Sequence, residues 1–167
     1  HEFSNRYEVG VDESGQILGV DMQLSGLCGY SPDLSDAIVD RAMFHCDNAY
    51  YYPAAKVAGH RCKTHTVSNT AYRGFGGPQG LMTAEYMMDQ IAYTLGKDPL
   101  EVRLNNLYQD GQTTHYGQPI EHFDLATLMD NLAKDCDYDK RRQQIMAANE
   151  KAQAEGSDKR LRIALTP

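Results

Sequence analysis

The sequence predicts an α+β unit in which helices outnumber strands and pack on a small mixed sheet that is open at both chain ends. Three observations lead there. The first 25 residues alternate around a turn signal, several later stretches carry helical apolar spacing, and both the first and the last residues read as strands whose partners lie elsewhere. A chain of 167 residues is long enough for one domain with a real core. Its 41% apolar content and lack of low-complexity tracts place it among globular proteins.

Arg6 to Val11, the turn Asp12-Glu13-Ser14-Gly15, and Gln16 to Ser25 form the expected hairpin. Gly26 to Tyr30 is expected to break the strand, after which Ser31 as N-cap and Pro32 at the first helical position open a helix to about Asn48. Leu34, Ala37, Ile38, Val39, Ala42, Met43 and Phe44 surround that helix, so it should be largely buried, with Leu34, Ile38, Arg41 and His45 on one face. A strand through Val57 and Cys62 towards Val67 follows, then the run Ser68 to Pro78, in which Gly74, Gly76 and Gly77 permit close backbone approach.

Pro78 suits the first turn of a long helix with the stripe Leu81, Ala84, Met88, Ile91, Ala92 and Leu95, which Gly96 stops. Asp98-Pro99-Leu100-Glu101 is a capping-box pattern for a helix to about Tyr108. After a polar loop from Gln109 to Gln118, Asp124 is expected to cap a helix through Ala133. Tyr138 to Ala154 reads as a charged, solvent-facing helix, and Arg160 to Pro167 as a strand just beginning.

Several functions are disfavoured by composition. A net charge of -7, from 23 acidic and 16 basic residues, works against a nucleic-acid surface. No apolar run approaches the roughly 20 residues that cross a bilayer, and no basic-then-apolar leader is present, so a cytoplasmic setting is expected. Cys28, Cys46, Cys62 and Cys136 lack the spacing of a zinc site or disulfide framework, and the six histidines lack metal-ligand spacing.

Two side chains stand out chemically. Arg41 projects from an apolar helix face; it either snorkels, pairs with Asp36 or Asp40, or meets an anion or ligand. Phe75 sits between glycines at a loop tip, where its ring needs a pocket or a ligand. The loop itself delivers a helix N-terminus, a general anion site, yet it matches neither the phosphate loop of nucleotide hydrolases nor the dinucleotide fingerprint. On residue chemistry alone it reads as a structural turn. Glu85, one turn further on, reads as a structural hydrogen-bond acceptor and not a general base.

Three blocks in fixed order resemble the xanthine dehydrogenase family: Asp40-Arg41-Ala42-Met43-Phe44-His45-Cys46-Asp47-Asn48, Lys63 to Gly80 with its Tyr72-Arg73-Gly74-Phe75-Gly76-Gly77-Pro78 core, and Glu101-Val102-Arg103-Leu104-Asn105-Asn106-Leu107-Tyr108. The resemblance covers most of residues 1–123 and is looser over the helical 124–167, implying a fragment of a molybdenum-cofactor-binding domain. It implies a molybdopterin cofactor, with FAD and [2Fe-2S] centres on other domains or subunits, and hydroxylation of hypoxanthine or xanthine in an oligomeric enzyme. By position, Arg41 resembles the arginine that faces the purine and stabilises negative charge on its oxygen, and Phe75 the ring that stacks on it. Arg73 and Gly74 match the loop backbone that lies against the cofactor.

The family's general-base glutamate lies downstream of this region and a second purine-binding glutamate upstream, so the isolated chain is expected to lack activity. Two other readings are an aldehyde oxidase-type relative, which typically lacks an arginine at the position of Arg41, and a non-enzymatic module of the same fold. Open sheet edges lead to an expectation of self-association for the isolated piece.

Overall fold

A computed structural model describes all residues from His1 to Pro167 and divides them into two compact units, His1–Phe123 and Asp124–Pro167. The first is built on a three-stranded mixed sheet. Strand β1 (Phe3–Val11) pairs antiparallel with β2 (Ile17–Gly29), and β2 pairs parallel with β3 (Ala55–Lys63), in the order β1-β2-β3. Helices on a small mixed sheet are what the sequence predicts.

The turn between β1 and β2 is fixed by Asp12, whose Oδ1 accepts from the Ser14 and Gln16 N–H groups and from the Ser14 hydroxyl. Gly15, at φ 85°, supplies the left-handed step. β2 continues to Gly29, past the break expected at Gly26. Gly26 is retained in the strand because it lies under the crossing helix: an added Cβ would stand 2.8 Å from Val39 Cγ2.

Helix α1 (Ser35–Phe44) connects the parallel pair. It starts three residues later than the sequence suggests, and Ser31 is not its cap. Asp33 takes φ 43° and Ser35 N–H donates to Pro32 O, so residues 32–34 form a separate turn, while the Ser31 hydroxyl bonds that of Ser68. One face of α1, with Ile38, Val39 and Ala42, is fully buried; Leu34 and Phe44, expected inside, are exposed. β3 ends at Lys63, short of Val67. Residues 64–69 then run beside the end of β2, with Tyr30 N–H donating to Thr66 O and Asn69 N–H to Cys28 O.

Helix α2 (Gly77–Leu95) packs on α1 and reaches β1. Its buried face is Thr83, Ala84, Met87, Met88, Ile91 and Ala92, where full burial of each large side chain contributes about 1.5–3 kcal/mol. Gly96 ends it in the left-handed region as expected. Helix α3 (Pro99–Asn106) opens on Asp98, whose carboxylate accepts from Leu100 N–H at 2.7 Å. Asn106 then ties α3 to the hairpin, accepting from Ile17 N–H and donating to Gly15 O.

The second unit contains α4 (Leu125–Asp135) and α5 (Tyr138–Ala154). Asp124 precedes α4 without a side-chain cap. Residues 160–167 form no strand, contrary to expectation. Asn149 explains part of this, since its amide exchanges two hydrogen bonds with the Leu161 backbone and ties the tail to α5.

Candidate cofactor and substrate site

The glycine loop is placed by contact between backbones. An added Cβ on Gly76 would stand 2.0 Å from Ile38 O, and one on Gly80 2.3 Å from Ala42 O. Only residues without a Cβ let the start of α2 lie this close to α1. Phe75 at φ 51° and Gly76 at φ 94° turn the chain into the helix, and Gly77 N–H closes the loop on Gly74 O.

This crossing carries Arg41 to the loop. An added Cβ on Gly77 would lie 3.8 Å from Arg41 Nε and 3.6 Å from His45 Cδ2, so both side chains flank the first turn of α2. Arg41 is exposed, not buried. The alternative that it pairs with Asp36 or Asp40 is overturned, because both aspartates pair with Arg61. No carboxylate meets the Arg41 guanidinium.

Arg73 and Gly74 are exposed on the loop and Phe75 is half-buried beside them. No backbone carbonyl takes the N–H of Arg73 or Gly74. The first turn of α2 holds no acidic residue. Free amides, a helix N-terminus and an unpaired guanidinium together favour an anionic, oxygen-rich guest. No group of three or more His, Cys, Asp or Glu side chains is arranged to hold a metal ion.

Glu85 is structural in geometry. Oε1 accepts from Asn48 Nδ2 at 2.9 Å and from Tyr50 OH at 2.5 Å, and Oε2 accepts from Arg103 Nε and Nη2 at 2.9 and 2.7 Å. Arg103 also meets Asp89 and is only 2% exposed. Burial works against its charge, but Glu85 more than offsets this and holds the guanidinium above its ordinary range. Burial, reinforced by Glu85, likewise pushes the Tyr50 phenol up. Sequence reasoning missed Arg103, whose partners lie 14 and 18 residues away on another helix and leave no local pattern.

Cys46 is fully buried; burial, then the charge of Asp47, pushes its thiol up to about 12. Its contribution to stability is therefore complete below the ordinary value of 9.0 and is lost as pH climbs towards 12. In the native chain at pH 8, Cys28 and Cys46 should resist a thiol reagent while the part-exposed Cys62 and Cys136 react. Labelling of Cys46 before unfolding, read by peptide mass, would contradict its placement.

A family model described as molybdopterin cofactor-binding domain matches residues 1–107. The chain belongs to this family. Among curated relatives of this molybdopterin cofactor-binding domain are the xanthine dehydrogenase of Drosophila subobscura, 40% identical over 149 residues, and the xanthine dehydrogenase/oxidase of Mus musculus, 41% identical over 149 residues. Each alignment covers 89% of this chain and 11% of the relative, so the chain spans about a ninth of their length.

Among solved structures, the aldehyde oxidoreductase from Desulfovibrio gigas superposes with a TM-score of 0.72 at 31% identity, covering 92% of this chain and 16% of that one. The reconstituted CO dehydrogenase from Oligotropha carboxidovorans reaches 0.79 at 20% identity, covering 93% and 20%, and shares the fold. The resemblance read from the three sequence blocks is thus borne out at the level of the family. No helix is long and apolar enough to cross a membrane.

The residues present fit a molybdopterin cofactor. Its phosphate and oxygen-rich head suits the free Arg73 and Gly74 amides beside the unpaired Arg41 guanidinium.

Proposed function

We propose that this domain forms part of a xanthine dehydrogenase-type enzyme that hydroxylates hypoxanthine and xanthine. One observation carries the reading: Arg41 lies beside Gly77 at the start of α2 with no carboxylate partner, so its charge is available to a ligand at the glycine loop. The cofactor, when bound, supplies the oxygen that is transferred and accepts two electrons from the substrate carbon. The Arg73 and Gly74 backbone holds that group, and the Phe75 ring offers a face for a planar heterocycle. Arg41 stabilises the negative charge that develops on the purine oxygen, an effect realised most in the transition state.

FAD and [2Fe-2S] centres belong, in this reading, to other domains or subunits of a cytoplasmic, oligomeric enzyme. The chain alone holds no carboxylate at the loop to serve as general base, so the isolated piece is inactive. Both sheet edges, β1 and β3, are open, and Met82, Tyr86 and Tyr93 of α2 are exposed. The isolated chain should therefore self-associate. A single monomeric species in sedimentation velocity would contradict this.

The aldehyde oxidoreductase likeness supports a second reading, in which a neutral aldehyde is the substrate. Arg41→Met in the assembled enzyme separates the two. Xanthine turnover should fall on the order of a hundredfold, with turnover of an uncharged aromatic aldehyde falling far less. An equal fall for both, or none, would remove the purine assignment and leave Arg41 a structural role.

A further inference from the structure

The last turn of α1, which carries Arg41, is gripped by a side chain 74 residues further along. His115 lies in a loop closed by the Thr113–Pro119 bridge, and its side chain is 8% exposed. Nε2 stands 2.9 Å from Met43 O and Nδ1 3.3 Å from Asp47 Oδ2. A carbonyl and a carboxylate are both acceptors, so each ring nitrogen faces a group to which an imidazole N–H can donate.

The grip is well supported. Asp47 is 3% exposed, and its Oδ2 also accepts from Tyr108 OH at 2.7 Å, so the carboxylate is fixed from a second direction. The Tyr116 ring packs edge-on against the imidazole and against Phe44. Met43 O belongs to the carbonyls at a helix end that lack a full intrahelical partner; its backbone donor, Cys46 N–H, is 3.5 Å away. A donor there opposes the partial negative charge of the helix terminus.

The arrangement superficially resembles a nucleophile triad, since Cys46 Sγ lies 3.9 Å from Nε2. Cys46 is 0% exposed, and Nε2 is already committed to the helix carbonyl, so no substrate reaches that sulfur. A role in holding the helix is what these contacts can perform. Arg41 precedes Met43 by two residues, and its own carbonyl accepts from His45 N–H in the same turn.

We infer that His115, clamped by Asp47 and Tyr108, is a positioning residue that fixes the last turn of α1 and so holds the Arg41 guanidinium over the glycine loop. This rests on the purine reading above and deepens it. Displacing a catalytic group by about 1 Å can lower turnover up to a hundredfold without removing the group itself.

The test uses the assembled enzyme with molybdenum content measured in every preparation, and compares His115→Ala, His115→Gln, Arg41→Met and the double variant His115→Ala/Arg41→Met. His115→Ala should lower kcat for xanthine by about ten- to a hundredfold, affect KM and aldehyde turnover far less, and add nothing in the Arg41→Met background. His115→Gln, whose amide can still donate to Met43 O, should recover part of the loss. The inference is overturned if both substrates fall together, if the double variant is slower than Arg41→Met alone, or if neither His115 variant retains molybdenum. If Arg41→Met lowers xanthine turnover but His115→Ala leaves it intact, only the positioning role fails. If Arg41→Met spares xanthine, the purine reading fails and takes the positioning role with it.

Discussion

Gly76→Ala is expected to destabilise the chain by about 3 kcal/mol or more, and to abolish molybdenum loading in the assembled enzyme. Two effects act together. The residue sits at φ 94°, where a Cβ introduces backbone strain of about 1–3 kcal/mol. The new methyl would also stand 2.0 Å from Ile38 O, a backbone atom in the middle of α1 that cannot rotate away. Forcing the helices apart adds an overpacking cost of about 1–3 kcal/mol. Gly10→Ala is the control, because nothing lies within 4 Å of its Cβ position and its φ is ordinary. Thermal unfolding of the two variants should differ by roughly 6 °C or more, given about 2–4 °C per kcal/mol for a chain of this size. Equal melting temperatures would show that α1 and α2 are not packed backbone to backbone.

Arg103→Leu should cost about 3 kcal/mol. Truncating one member of a buried ion pair typically costs about 3–5 kcal/mol, mostly from the charge left behind. The low end applies because the Glu85 side chain is 23% exposed and can recover some hydration. Loss of Arg103 strands the Glu85 carboxylate with only Asn48 and Tyr50 as donors. Adding Glu85→Leu should therefore regain part of the loss, giving a coupling energy of opposite sign to the single effects. If the double variant is less stable than the sum of the singles, the pair is not the source of the destabilisation.

The elements that sequence made legible are those whose signals are local. The Asp12 to Gly15 turn, the Gly96 stop, the Asp98 cap and the span of α5 depend on residues within a few positions of each other. The helix expected to open at Ser31 failed because Asp33 adopts a left-handed conformation and Ser31 bonds Ser68, a partner 37 residues away. The strand expected to break at Gly26 continued because that glycine accommodates Val39 of a helix packed across it.

The candidate site divides in the same way. Arg41 and Phe75 are visible as chemical anomalies, an arginine on an apolar helix and a ring among glycines. The placement of Arg41 beside Gly77 is not, since it depends on which α1 carbonyls Gly76 and Gly80 meet. Arg103, Asp47 and His115 were passed over because each is explained only by partners from another element. A polar residue at a helix position otherwise suited to burial was the one available sign, and Arg103 beside Val102 in α3 shows it.

The backbone-to-backbone crossing of α1 and α2 has a dynamic corollary. Where α1 carbonyls meet Gly76 and Gly80, the contact is made by backbone and has no side-chain rotamer to change. Arg41 at its root and the loop amides should thus move as one body on the nanosecond scale, with low amplitude and slow amide exchange on both sides of the contact. The spacing between the root of Arg41 and the start of α2 is set when the protein folds. Little further ordering of these two elements would then be needed when a ligand meets both.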